Sequence, residues 1–288
     1  MNAVGVILLA GKGTRLFPTT SSINKHLLNI YNKPMFFYSL STLLLSGVSE
    51  IVFVCNEKDI DLYKSFFGNG RSIGCKFKYV VQQKSNGIVG ALKLASKKII
   101  NRDIFLILGD QLIYSYSLQG RLEKVLKENN SYIFTTNKMN PQDYGVLSRT
   151  KNKYKIYEKP NKFISSEVVI GLYFYKKETL NLLKKVKKSD RNEYEITDFN
   201  NLLFDQGMLN IEKLGRGDSW LDIGDIDRLH LSSNLIKSLE DSRGYLIGCP
   251  EEIAFRKKLI NKQQLVKFCK SLPNNFYKKY LEELNEKI

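Results

Sequence analysis

The sequence is poor in the side chains that build most metal–sulfur and nucleophile–base sites. Its 288 residues include only two histidines and four cysteines. Cys55, Cys75, Cys249 and Cys269 lie far apart without metal-ligand spacing, and the histidines complete no such set. That excludes a clustered cysteine–histidine metal site and leaves free, mostly buried thiols in a reducing compartment as the expectation. No apolar run reaches the roughly 18 to 20 residues that would span a bilayer. The apolar start, Met1 to Gly11, has no basic segment before it and no small-residue cleavage site after it, so it is read as a buried first strand and not a signal peptide. A cytoplasmic protein that touches no membrane is expected. Internal repeats and low-complexity linkers are missing as well.

What is present is a globular composition, 43% hydrophobic, long enough for one large α/β domain or a domain with an appendage. The net charge of +16 admits two partners, nucleic acid or phosphate-rich small molecules. Lysines spread along the chain, as in Lys184-Lys185 and Lys187-Lys188, favour a solvated basic face over a nucleic-acid groove.

Apolar patterning over the first half alternates strands with helices. Strands are expected over 4–9, 51–55, 77–81 and 104–108, and helices over 35–46, 59–67 and 88–100. Glycines at 47 and 68 close two of the helices. This rhythm predicts a Rossmann-like three-layer αβα fold with a mostly parallel mixed sheet. The second half loosens: a helix over 118–127, strands over 132–136, 145–148, 154–157, 168–175 and 209–213, and helices over 178–186 and 196–206. From 226 the pattern is helical almost to the end. The expected division is an α/β domain over 1–243, with a nucleotide-binding part to about 118 and a sugar-binding part beyond it, then a helical appendage over 244–288.

The first strand runs into Gly11-Lys12-Gly13-Thr14-Arg15-Leu16, where glycines free the backbone to turn and to offer N–H groups to phosphate. Two familiar phosphate loops fail on the residues. A dinucleotide fingerprint needs glycine where Leu16 stands, and a Walker loop needs glycine where Val6 stands. What remains, Gly-x-Gly-Thr-Arg-Leu-x-Pro with Lys25 beyond it, resembles the signature of sugar-1-phosphate nucleotidyltransferases. Lys25-His26-Leu27-Leu28 through Lys33-Pro34-Met35 is most similar to the glucose-1-phosphate thymidylyltransferases. Leu108-Gly109-Asp110, Tyr144-Gly145-Val146, Glu158-Lys159-Pro160, Gly171-Leu172-Tyr173-Phe174-Tyr175, Glu195-Ile196-Thr197-Asp198 and Trp220-Leu221-Asp222 extend the likeness in order over nearly the whole chain.

The resemblance implies thymidylyl transfer from dTTP to glucose 1-phosphate, with Mg²⁺ as cofactor and a homotetramer as the assembly. It assigns Asp110 and Asp222 to the metal and Arg15, Lys25 and Lys159 to catalysis. Leu9, Ala10, Gly11, Gly13, Thr14, Arg15, Gln82, Gly87 and Asp110 fall to the nucleotide. Gln111, Tyr144, Gly145, Glu158, Lys159, Val169 and Tyr173 fall to the sugar. The chemistry agrees with the shortage of histidine. A sugar phosphate oxygen is already ionised when it attacks the α-phosphorus, so positioning and charge neutralisation are required and a general base is not.

The chain departs from the family at Leu9-Ala10, Lys12, His26, Asn29, Val89-Gly90 and Gln111. Leu9 either crowds the nucleoside or fills the core, and Gln111 stands where the thymidylyltransferases carry Asn. These departures leave open a UTP-specific or other-sugar enzyme, or a non-catalytic nucleotide-sugar sensor on the same fold.

Overall fold

The computed structural model describes residues 3–150 and 153–287. β1 (Ala3–Leu8) passes through the glycine loop and two short paired strands, β2 (Asn29–Ile30) and β3 (Lys33–Pro34), into α1 (Met35–Leu45). Then follow β4 (Glu50–Cys55), α2 (Ile60–Phe67), β5 (Lys76–Val81), α3 (Ile88–Ser96), β6 (Asp103–Leu108), β7 (Gln111–Tyr114) and α4 (Leu118–Lys127). The second half holds β8 (Ser131–Asn137), β9 (Gly145–Thr150), β10 (Lys153–Glu158), β11 (Glu167–Tyr175), α5 (Ile196–Asp205), β12 (Leu209–Lys213) and β13 (Ser219–Asp222). It closes on α6 (Ile226–Arg243), α7 (Pro250–Arg256), α8 (Lys262–Lys270) and α9 (Phe276–Lys287).

Nine strands form one mixed sheet in the order β10-β9-β11-β6-β1-β4-β5, with β8 pairing β11 and β12 pairing β8. The β6-β1-β4-β5 part is parallel, and β11 joins it antiparallel to β6. β1 is apolar throughout because both its faces are covered. Ala3 and Ile7 enter one core with α1 and the C-terminal helices, while Val4 and Val6 enter another with α3 and α5. Gly5 lets α1 come close, since a Cβ there would lie 2.7 Å from Leu43 Cδ1.

Three sequence expectations change. The helix over 88–100 stops at Ser96, where Lys98 and Ile99 donate three residues back to Ala95 and Ser96 and the chain leaves as a tight turn, with Ile99 buried and Ile100 exposed. The segment expected as an α-helix over 178–186 is a 3₁₀ helix, Lys177–Lys185. Its core-facing residues Leu180, Leu183 and Val186 recur every third position, which suits a three-residue turn. Third, β7 and β13 form an antiparallel pair that the pattern did not reveal, with Asp222 opposite Gln111.

The C-terminal helices share a core with the parallel half: Cys249, Ala254, Leu265, Cys269 and Leu281 belong to the cluster that holds Ile7 and Leu40. Close approach is built in at Gly248, where a Cβ would lie 2.5 Å from the Tyr38 ring. All four cysteines are buried and unpaired, as expected.

Candidate active site

The glycine loop leaves the carboxyl end of β1, where ligands of open parallel sheets bind. Gly13 takes φ 65°, a left-handed value that glycine adopts freely, and opens a 3₁₀ turn over Thr14–Leu16. Lys25 packs beneath the loop: a Cβ on Gly13 would approach Lys25 Cβ to 2.9 Å, and one on Gly11 would approach Lys25 Cε to 3.1 Å. Asn24 pins this arrangement by donating from Nδ2 to the Leu9 carbonyl (3.0 Å) and to Asp59 Oδ2 (2.7 Å). Its Oδ1 accepts from the His26 N–H.

The two carboxylates meet at Gln111. Gln111 Oε1 accepts from Trp220 Nε1 (2.7 Å) and from the Gly171 N–H (3.0 Å). That fixes the amide so that Nε2 donates to Asp110 Oδ1 (3.0 Å) and to Asp222 Oδ1 (3.4 Å). Glycine at 171 is required, since a Cβ would lie 2.6 Å from Gln111 Cδ. The outer oxygens go to cations: Lys25 Nζ pairs with Asp110 Oδ2, and Arg228 Nη1 with Asp222 Oδ2 at 3.3 Å. Burial and the neighbouring Asp110 charge raise the Asp222 carboxyl to about 6. Asp110 goes the other way. Burial would raise it, but the charge and hydrogen bond of Lys25 outweigh burial and hold it well below the carboxylate range.

His26 sits among these groups without serving as a base. Burial first, then Lys25, lowers its imidazole to about 3, so it is neutral. Its Nδ1 faces two acceptors, the Leu9 carbonyl and Asn24 Oδ1.

A cleft of ≈290 Å³ runs from Gly11 and Lys25 past Gln82, Gly87 and Asp110 to Glu158 and Lys159. On its far wall Glu158 accepts from Thr197 Oγ1 (2.6 Å) and from Arg191 Nη2 (3.3 Å). Lys159 has φ 43° and donates its N–H to the Tyr144 carbonyl (3.0 Å). A non-glycine residue in that region is uncommon and is often found at functional sites. Gly145 pairs with Glu158 across the β9–β10 ladder and keeps the space beside its carboxylate. Gln82 donates from Nε2 to Asn86 Oδ1 at 3.2 Å. Gly90 makes room for that amide, since a Cβ there would lie 2.2 Å from Asn86 Oδ1. The departure at 90 is thus the space that Asn86 fills. A second cleft of ≈670 Å³ adjoins the first at Gly11 and Gln82 and carries Lys12 and Lys58.

The sequence-predicted residues therefore largely converge. Gly11, Ala10, Lys25, Gln82, Gly87, Asp110, Glu158 and Lys159 line one cleft. Arg15 lies against the Asp222 segment, where a Cβ on Gly224 would approach its Nη2 to 2.6 Å. Thr14 is exposed on the loop. Leu9, Gln111, Tyr173 and Val169 are not among the residues that line the cleft. Leu9 is wholly buried in the core, with its N–H given to Val54 and its carbonyl to Asn24, so it fills the core and does not crowd a nucleoside. Gln111 has its whole amide engaged with the two carboxylates and the β11 backbone, which leaves no donor or acceptor face for a sugar. Tyr173 is buried behind the cleft, stacked on Tyr175 at 5.8 Å, and Val169 flanks the bulge of β11.

Two arginines went unremarked in the sequence. Arg191 bridges Glu158 and Glu195 at the cleft. Arg228 meets Asp222, Asp225 and Asp143. Scarcity was their signal: ten of the 45 basic residues are arginine, and the fork geometry of arginine is kept for carboxylates and phosphates.

The profile of the Nucleotidyl transferase family matches residues 4–238. A glucose-1-phosphate thymidylyltransferase of Neisseria meningitidis is 33% identical over 286 residues, covering 98% of this chain and 99% of the relative. One from Xanthomonas campestris is 36% identical, covering 97% of this chain and 96% of the relative. Among solved structures, a Bacillus anthracis protein crystallised with sucrose superposes with a TM-score of 0.74 at 30% identity, covering 81% of this chain and 94% of that one.

Proposed function

The chain belongs to the nucleotidyl transferase family, and on that premise we propose that it is the enzyme that transfers a thymidylyl group from dTTP to glucose 1-phosphate, giving dTDP-glucose and pyrophosphate. The observation that carries this reading is the convergence on one cleft of Asp110, the cations Lys25, Lys159 and Arg191, and a glycine loop, with Asp222 joined to Asp110 through Gln111 and His26 neutral.

An oxygen of the sugar phosphate attacks the α-phosphorus. The new P–O bond forms as the bond to the β-phosphate oxygen breaks, and pyrophosphate leaves with the electron pair. No proton is removed, so no base is needed. Arg15 and the loop amides hold the β- and γ-phosphates, and Lys25 neutralises charge at the reacting phosphates. Lys159 and Arg191 hold the sugar phosphate, while Glu158, oriented by Thr197, takes sugar hydroxyls. Gln82, with Nε2 tied to Asn86, presents its oxygen to the imide N–H of a pyrimidine, and Gly87 lets the base sit close.

Asp110 and Asp222 fit a magnesium ion: two carboxylates converge on one amide nitrogen, and Mg²⁺ is commonly held by one or two carboxylates plus phosphate oxygens. Among the described residues no acid, histidine or cysteine joins them into a larger group. Magnesium bound there would supply charge neutralisation to the transferring phosphates. The family resemblance supports a homotetramer, testable by light scattering, and the four unpaired thiols support a cytoplasmic location.

The test is pyrophosphate release by purified protein with Mg²⁺ over a panel of nucleoside triphosphates and sugar 1-phosphates. Turnover is expected to be fastest with dTTP and glucose 1-phosphate. No release with any pair would remove the catalytic reading. A large preference for UTP would keep the reaction class and change the base.

A further inference from the structure

Arg228 stands where a cation is out of place. It is the third residue of α6, capped by Asp225, and a helix N-terminus favours negative charge. Its guanidinium is held there by carboxylates: Asp222 at 3.3 Å, Asp225 at 3.3 Å and Asp143 at 3.4 Å. It also lies over the Tyr144 ring, 5.6 Å from the centroid, and Lys138 is a nearby like charge. Asp143 is largely exposed and Asp225 partly so, which leaves Asp222 as the buried partner.

The carboxylate pair is thereby closed on both sides. Each inner oxygen takes one N–H of Gln111, and each outer oxygen takes a cation, Lys25 on Asp110 and Arg228 on Asp222. Asp143 and Asp225 share Arg228 with Asp222, while Arg15 and Lys138 add their charges beside Asp222, so four carboxylates face four cations and the site offers little net attraction to a further free cation. Lys25 sits under the phosphate-type loop, where a bound triphosphate would offer it other partners. Arg228 is on a different element, and nothing recorded around it other than Asp222 is buried and anionic.

We propose that Arg228 is a resident counter-ion of Asp222, which keeps the carboxylate pair from taking a bare divalent cation and so makes metal loading depend on the nucleotide. This rests on the reading that Asp110 and Asp222 are the metal ligands. Arg228 acts through Asp222 and is a positioning residue, not a catalytic one.

The experiment is Mn²⁺ titration of the full-length protein followed by EPR, without nucleotide and then with dTTP, on wild type, R228M, R228K, D222N and the R228M/D222N double variant. Thermal melts establish that each variant is folded. Without nucleotide, R228M is expected to bind Mn²⁺ about tenfold tighter than wild type, because one competing charge is gone. R228K, which keeps the charge, is expected to stay near wild type, and D222N is expected to abolish the gain in the double variant. Addition of dTTP should narrow the gap between R228M and wild type. A merely structural arginine would weaken or leave unchanged the affinity on removal, and either result overturns the proposal, as does R228K behaving like R228M. If D222N leaves Mn²⁺ binding with dTTP unchanged, the ligand assignment itself falls. That failure is separate from equal Mn²⁺ binding by R228M and wild type.

Discussion

Two buried clusters of opposite charges occupy this chain, and they are built for different ends. At the C-terminal helices, Lys33 is 1% exposed and pairs with Glu240 at 2.7 Å, while the Tyr277 and Tyr280 hydroxyls donate to Glu251 and Glu252. In the cleft, Lys25 and Arg228 pair with Asp110 and Asp222. Both clusters are satisfied, and both perturb the ionisation of their members. The difference is access. The first is sealed between α1, α6, α7 and α9 and ties the helices to the sheet domain. The second reaches a cleft through Asp110 and Lys25, and Lys25 has the phosphate-type loop beside it. Pairing alone therefore does not mark chemistry; pairing that an incoming anion can reopen does.

The largest effect is expected at the cleft. Asp222→Asn should lower kcat by about 10³-fold or more while the melting temperature hardly moves, because a carboxylate that holds charge for the reaction is lost and little packing goes with it. Pyrophosphate release and a thermal melt measure the two sides, and a variant with near-normal turnover would refute the metal-site reading. The sealed cluster should respond in reverse. Lys33→Met leaves Glu240 buried without its partner and should cost about 3 kcal/mol in urea unfolding. The folded fraction should keep a kcat/KM close to wild type.

Gly90→Ala is the next smaller effect. The added methyl must displace Asn86 and release Gln82, so KM for dTTP should rise about tenfold with KM for the sugar phosphate unchanged. Equal KM values for dTTP would show that the Asn86–Gln82 bond is idle. The smallest effect is a pH dependence at Glu251. Burial raises this carboxyl in the folded protein, with Tyr277 opposing it. The folded state then binds the proton more tightly than the unfolded chain, so stability falls as pH rises from the unfolded carboxylate value through the raised one, and the loss persists above it. Glu251→Gln should flatten that slope and add up to about 1 kcal/mol at neutral pH. Unfolding curves between pH 4 and 8 that keep the wild-type slope would exclude it.

Much of this was legible in the sequence for plain physical reasons. A strand covered on both faces has to be apolar throughout, so β1, β4 and β6 announced themselves. Helix ends at Gly47 and Gly68 were readable because a left-handed residue after a helix favours glycine. The ordered motifs placed Lys25, Asp110, Lys159 and Asp222, and the fold assembles them. The side chain of Leu9 left two alternatives open and the engagement of the Gln111 amide was invisible, because a residue's position in a motif does not say which way its side chain or amide faces. Arg191 and Arg228 were passed over because an arginine in a basic chain looks like solvated charge until its partners are known.

The sequence by itself determined the alternation of strands and helices, the phosphate-type loop and the set of charged residues available for chemistry. These are local properties: backbone freedom at glycine, apolar periodicity and side-chain type. Only the tertiary structure decided that Asp110 and Asp222 share one amide. β7 and β13 are four residues each, too short to show a period, and they lie far apart in the chain. Their pairing depends on Trp220 and the bulged β11 holding Gln111 in place, and a contact of that kind is fixed by packing across the fold and not by any pattern along the chain.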